Sequence, residues 1–368
     1  AHIQESDVAY VNKRRGRQGK KLFEPLYTLA DAEAILERFR SLPYDQTFEP
    51  VTGVRAQFID AGHILGSAVV VLDIEEKGRR LRLAFSGDLG RSHHPLLRDP
   101  QVPEKVDYVL MESTYGDRRH EPLEESTATF HALVRETFEK RGKLLIPAFA
   151  LGRTQELVYA LDQFDQQGTL PPLDVYVDSP LAVNVTEVFR RHAECFNAEA
   201  RAASAREPDR DPLAFPRLRY VQSVEESKRL NELQAPAIIL SASGMCESGR
   251  ILHHLKNNVG DPNATVLFVG FQAQHTLGHK LLEGMNPVPI LGDSYPVKAC
   301  IKQIGGYSAH ADRAGLLAWA AEVQRKGQIK RVFLVHGEEK AARALADGLR
   351  QQGVPQVDIP TRGQVFEL

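Results

Sequence analysis

The strongest constraint on this chain's fold is a repeated pattern. Short apolar runs rich in β-branched residues stop abruptly at glycine or a polar residue: "SAVVVLDI", "LRLAFSGDLG", "DYVLMESTYG", "KLLIPAFALG", "DVYVDSP", "AIILSASG", "TVLFVGF" and "RVFLVHGE". Runs this short and continuous read as buried strands. Helical patterns lie between many of them. Over Thr28 to Phe39, the residues Leu29, Ala32, Ile35, Leu36 and Phe39 recur at helical spacing behind a cap at Thr28, with Asp31 in the first turn. The segment "VFLVHGEEKAARALADGLRQQG" runs strand, tight loop and helix, then stops at Gly353. The fold class is α/β.

The runs "SAVVVLDI" and "LRLAFS" are separated by the polar turn "EEKGRR" and read as an antiparallel hairpin, whereas later runs alternate with helices and read as parallel βαβ units. A chain of 368 residues exceeds the usual single-domain size, so this change of character predicts two domains, or one interrupted by another. The stretch "AREPDRDPLAFPRLR" is the clearest irregular connection. With 42% hydrophobic residues, 26% charged residues and a net charge of -2, neither a disordered nor a membrane-spanning chain is indicated. No apolar stretch is long enough to cross a bilayer. The basic run Asn12 to Lys21 reads as a solvated loop. Cys195, Cys246 and Cys300 are far apart and form no CxxC pair, which fits a reducing, cytoplasmic setting.

Ionisable residues sit just after the strands, where α/β folds expose functional groups. They are His63 in "DAGHILGSA", Asp88 in "FSGDLG", Glu112 in "MESTYGD" and His336 in "LVHGEE". Each is flanked by Gly, Ser or Thr, which lets backbone come close to a metal or a phosphate. Imidazole with carboxylate suits zinc or another first-row divalent metal better than calcium. A further histidine, His310, stands in "IGGYSAHAD", where Gly305, Gly306, Ser308 and Ala309 clear space around it.

The ordered series "GHILGS", "FSGDLGR", "ESTYG", "PAFALGRTQEL", "SASGMCESGR", "YSAHAD" and "VHGE" resembles the β-CASP branch of the metallo-β-lactamase superfamily, which contains the cleavage-and-polyadenylation endonuclease and prokaryotic RNases. The resemblance covers practically the whole chain. It implies a metallo-β-lactamase αββα sandwich interrupted by a Rossmann-like β-CASP domain: a first part at 1–118, the insertion at 119–296 and a returning part at 297–368. It implies His63, Asp88 and His336 as metal ligands, with Asp88 bridging two zinc ions. It also implies Glu112 as the acid of motif A and His310 as the histidine of motif B. Family members carry a His-x-His-x-Asp-His motif that supplies most of the remaining ligands, and no such spacing occurs in these residues. The expectation is therefore a C-terminal portion of a longer protein, with weak or absent metal and negligible activity for this chain alone.

The expected chemistry is zinc-dependent hydrolysis of single-stranded RNA by a metal-activated water. His310 is expected to be the general acid, oriented and kept charged by Glu112, with Asp88 as the third catalytic residue. Its alternative reading is as the cap of a helix beginning at Ala311. Ser308 and the Gly305-Gly306 backbone are expected to make room for the phosphate. Arg153, Ser243 and Gly244, with Thr154, Ser241 and Arg250 nearby, are expected to grip the sugar-phosphate backbone; Arg153 pairing with a carboxylate and joining the domains is an equal alternative. Aromatic residues make up only 7%, which favours backbone tracking over an extended stacking platform. A homodimer is compatible with this reading. The competing class is a non-catalytic RNA-binding or scaffold protein; a small-molecule hydrolase is disfavoured by the inserted domain.

Overall fold

A computed structural model describes residues 1–206 and 211–368. The irregular connection at 205–219 therefore falls partly outside the described residues. Contacts divide the chain into a small unit, Ala1–Gln46, and a large one, Thr47–Leu368.

In the small unit a helix spans His2–Arg17, and Asn12 holds the returning chain by exchanging two 2.8 Å hydrogen bonds with the Phe23 backbone. The basic run expected as a loop thus begins inside this helix, and only Gln18 to Lys21 leave it. The predicted amphipathic helix forms over Leu29–Leu36 with a reciprocal capping box between Thr28 and Asp31. It is shorter than its apolar pattern and none of its residues is fully buried: Leu29 and Ala32 are half-buried, while Ile35, Leu36 and Phe39 are exposed.

The large unit opens with β1 (Thr47–Val51), β2 (Val54–Asp60), β3 (Ala68–Glu76), β4 (Arg79–Phe85) and β5 (Tyr108–Glu112). The chain then builds β6 (Lys143–Pro147), β7 (Asp174–Val177), β8 (Leu218–Tyr220), β9 (Ala237–Ser241) and β10 (Thr265–Phe268). A hairpin of β11 (Val288–Ile290) and β12 (Asp293–Tyr295) follows, then β13 (Cys300–Gln303), β14 (Arg331–Val335) and β15 (Val357–Asp358).

Two sheets result. The first runs β1-β2-β3-β4-β5-β14-β15, antiparallel as far as β4 and parallel beyond it. The second runs β13-β10-β6-β9-β7-β8 and is parallel throughout. The predicted hairpin is β3 with β4, turning at Gly78 (φ 77°). Chain returning from the second sheet re-enters the first as β14, beside β5, with Val335 opposite Glu112. The second sheet extends past residue 296, because β13 pairs with β10.

Each sheet is held by helices burying apolar faces. Helices Arg313–Lys326 and Glu339–Gln351 cover one face of the first sheet, placing Leu316, Trp319 and Leu345 against Val69, Val109 and Leu334. The second sheet is covered on both faces: Phe130, Leu157 and Phe189 pack on one side, Ile251, Leu255 and Leu281 on the other. This is a three-layer Rossmann-like arrangement. The loop after β4 sends Leu96 and Leu97 into the core of the second sheet, and His94 there pairs with the buried Glu156, which also holds Arg153.

Candidate metal centre

Strand direction gathers the site. Strands β2, β4, β5 and β14 run the same way in the first sheet, so their C-terminal ends share one edge. That edge delivers His63, Asp88 and His336 from three loops and Glu112 as the last residue of β5. His310 arrives from the loop after β13 and is tied to the first sheet by an isolated bridge to Gly90 and by the Ala311 N–H donating to the Leu89 carbonyl (2.8 Å). Backbone approach at this junction is so close that a Cβ on Gly90 would lie 1.9 Å from the Gly62 carbonyl oxygen.

Asp88 lies between two imidazoles: its Oδ1 is 2.9 Å from His336 Nδ1 and its Oδ2 3.8 Å from His63 Nε2. The His63 and His310 rings are 4.3 Å apart, and those of His310 and His336 5.8 Å apart. Donor atoms of His63, Asp88 and His310 converge within 4.8 Å, as do those of Glu112, His310 and His336. His63 and His336, expected as ligands, therefore face Asp88, and His310 lies between them. Thr114, which sequence reasoning passed over although it stands two residues after Glu112, places its hydroxyl 3.3 Å from His336 Nδ1 and donates to the His336 carbonyl (3.0 Å).

Glu112 is buried and accepts from the Leu89 N–H (2.6 Å), while its two carboxylate oxygens sit 3.2 and 3.1 Å from His310 Nδ1. Burial alone would raise the Glu112 pKa, yet bonding to His310 carries it below the usual carboxylate range. For His310, burial opposes protonation, and the Glu112 bond and charge outweigh it to give a raised pKa. His63 moves the other way, depressed by burial and then by the neighbouring His310 charge. An imidazole whose protonation is disfavoured in this way offers the free nitrogen lone pair that a metal needs. The donor set, imidazole nitrogens with carboxylate oxygens, fits a divalent first-row metal.

The helix-cap reading of His310 fails. The helix starts at Arg313 and its cap is Asp312, which accepts from the Gly315 N–H (2.9 Å) and the His120 N–H (3.0 Å). His120, also missed in the sequence, places its Nε2 3.0 Å from the His310 carbonyl oxygen.

Several expected substrate contacts are occupied by structural partners. The Gly306 N–H donates to Ser126 Oγ (3.0 Å) and the Gly305 N–H faces Glu121 Oε2 (3.4 Å), so this backbone seats the helix Leu123–Glu139. Arg250 binds Asp178 (2.6 Å) and the Gln222 carbonyl (2.6 Å), and Ser241 donates to the Asp178 carbonyl (2.8 Å). Thr154 donates to the Phe149 carbonyl (2.8 Å). The Ser243 hydroxyl accepts from the Glu247 and Ser248 N–H groups (3.1 and 3.3 Å). Arg153 pairs with Glu156, the alternative left open from sequence, while still lining the cleft. That cleft, about 360 Å³, also borders His63, Ser308, His310 and Gly244.

Residues 154–281 match the Beta-Casp domain family, and residues 294–360 the Zn-dependent metallo-hydrolase RNA specificity domain. The chain is 37% identical to Ribonuclease TTHA0252 of Thermus thermophilus over 334 residues, which cover 91% of this chain and 74% of that one. It is 29% identical to the transcription termination factor FttA of Methanocaldococcus jannaschii, covering 97% of this chain and 55% of that protein. It is also 29% identical to the cleavage and polyadenylation specificity factor 73 of Drosophila melanogaster, covering 89% and 46%. The chain thus spans about three quarters of the first relative and about half of the other two.

Proposed function

Because the chain belongs to the β-CASP metallo-β-lactamase family of ribonucleases, we propose that it hydrolyses phosphodiester bonds of single-stranded RNA at the edge where His63, Asp88 and His336 meet. The observation that carries this reading is the joining of two sets: a carboxylate between two imidazoles, and beside it a third imidazole held by a buried carboxylate. His63, Asp88 and His336 would hold zinc, which would supply a water of lowered pKa and a Lewis acid for the phosphate.

The remaining chemistry belongs to the side chains. Glu112 binds His310 at Nδ1, fixing the ring and holding the proton on the imidazole, so that Nε2 is left to donate to the departing oxygen. Asp88 offsets cationic charge with both oxygens. Thr114 fixes the His336 ring and backbone. Arg153 borders the cleft as a fixed positive charge, because Glu156 holds it in place.

The proposed setting is cytoplasmic, consistent with three free cysteines; no helix among the described residues is long and apolar enough to cross a membrane. A homodimer is compatible with the reading. The test is to incubate the protein expressed from its intact reading frame with end-labelled single-stranded RNA and zinc, and to follow product sizes over time. Cleavage abolished by a chelator and restored by zinc is expected. Cleavage indifferent to the chelator, or RNA bound and never cut, contradicts the proposal.

A further inference from the structure

The second sheet presents a feature that its folding does not explain. Phe149 and Phe271 follow strands in which every residue is buried, β6 and β10, yet the two side chains stay 48% and 44% exposed. Leaving a phenyl ring in water forgoes the stabilisation that its burial provides. Both rings border the cleft that holds His310.

The strand order accounts for their position. Neighbours β13, β10, β6 and β9 are parallel, so the loops at their C-terminal ends stand in a row carrying His310, Phe271, Phe149 and Gly244. This edge of a parallel sheet is where ligands bind in α/β folds. The loops are also tied together. Gln272, itself 7% exposed, donates from Nε2 to the Gly244 carbonyl (2.9 Å) and the Phe271 carbonyl (3.1 Å). Gly244 backs directly onto Phe149, since a Cβ there would lie 3.0 Å from ring atoms Cδ2 and Cε2. Thr154 fixes the Phe149 carbonyl. The Phe149 ring is therefore backed by Gly244 and the Phe271 backbone is tied by Gln272, while both side chains remain about half exposed.

We propose that Phe149 and Phe271 form a nucleobase-stacking subsite beside the scissile phosphate. This rests on the reading that RNA occupies the cleft. A cleft of about 360 Å³ is near the lower end of the range for small-molecule sites, which suits one base with its sugar. Stacking on a phenyl ring is open to every base, so the subsite positions the strand with little sequence preference. The low aromatic content that argued against an extended platform leaves room for a local one: two rings suffice when three loops hold them at the point of reaction.

The test uses the protein from its intact reading frame, with chelator present so that binding is read without cleavage. Probes are a single-stranded RNA carrying 2-aminopurine and the same strand with abasic residues. Wild type is expected to quench 2-aminopurine fluorescence and to prefer the base-containing strand. Phe149→Ala and Phe271→Ala are expected to weaken that strand's binding by about 5- to 150-fold and to leave the abasic strand unaffected. Phe149→Trp, expected to keep both binding and quenching, separates lost stacking from lost folding. Equal binding of base-containing and abasic strands by wild type, or unchanged binding by both alanine variants, overturns the subsite alone. A wild-type protein that binds neither strand overturns the subsite together with the RNA reading.

Discussion

Glu112 sets the state of its neighbours. It is buried, receives the Leu89 N–H, and turns both carboxylate oxygens to His310 Nδ1. Replacing His310 with Ala is expected to lower turnover by about 10²- to 10⁴-fold while metal content stays near wild type, measured as kcat and bound zinc on one preparation. Loss of zinc in that variant makes His310 a ligand instead. Glu112→Gln keeps the shape and removes the charge that favours the His310 proton, so its rate profile is expected to lose activity at a lower pH than wild type. Glu112 and His310 drew attention in the sequence because each is an ionisable residue set among small ones, in "MESTYGD" and "IGGYSAHAD". Arg250 and Gly305-Gly306 were misread because sequence shows a donor and hides its partner. Asp178, which holds Arg250, and Ser126, which holds Gly306, are far away in the chain.

At the scale of elements, two junctions position the site. Asp312 caps the helix after His310 and also receives the His120 N–H, so Asp312→Ala is expected to cost about 1 kcal/mol in a denaturant titration. The second junction is Glu156, buried between Arg153 and His94. Burial works against its charge, but the nearby Arg153 and His94 hold its pKa down to about 2 from an ordinary 4.5. A depressed carboxylate stabilises fully above its unfolded-state pKa, and that stability is lost as pH falls through the folded value. Thermal stability is therefore expected to decline between about pH 4.5 and 2 partly through this group. Glu156→Gln is expected to cost about 3–5 kcal/mol at neutral pH and to flatten that part of the profile. Long apolar strands were readable. The edge strand β1 and its neighbour β2 were not, because polar residues interrupt "TFEPVTGVRAQFID" and it is pairing, of β1 with β2 and of β2 with β3, that makes them strands.

For the whole molecule, the insertion of a parallel sheet between β5 and β14 is the decisive arrangement. It sets Glu112 and His336 at one edge of the sheet although 223 residues lie between them in the sequence. Composition could not show this; the order of seven short motifs could, through family resemblance. The central claim is that His63, Asp88 and His336 hold metal while Glu112 and His310 manage the proton. Calorimetric zinc titration of the protein from its intact reading frame, wild type beside Asp88→Asn and His310→Ala, tests it most directly. The account predicts at least about tenfold weaker zinc binding for Asp88→Asn and wild-type binding for His310→Ala; equal affinity for wild type and Asp88→Asn would contradict it.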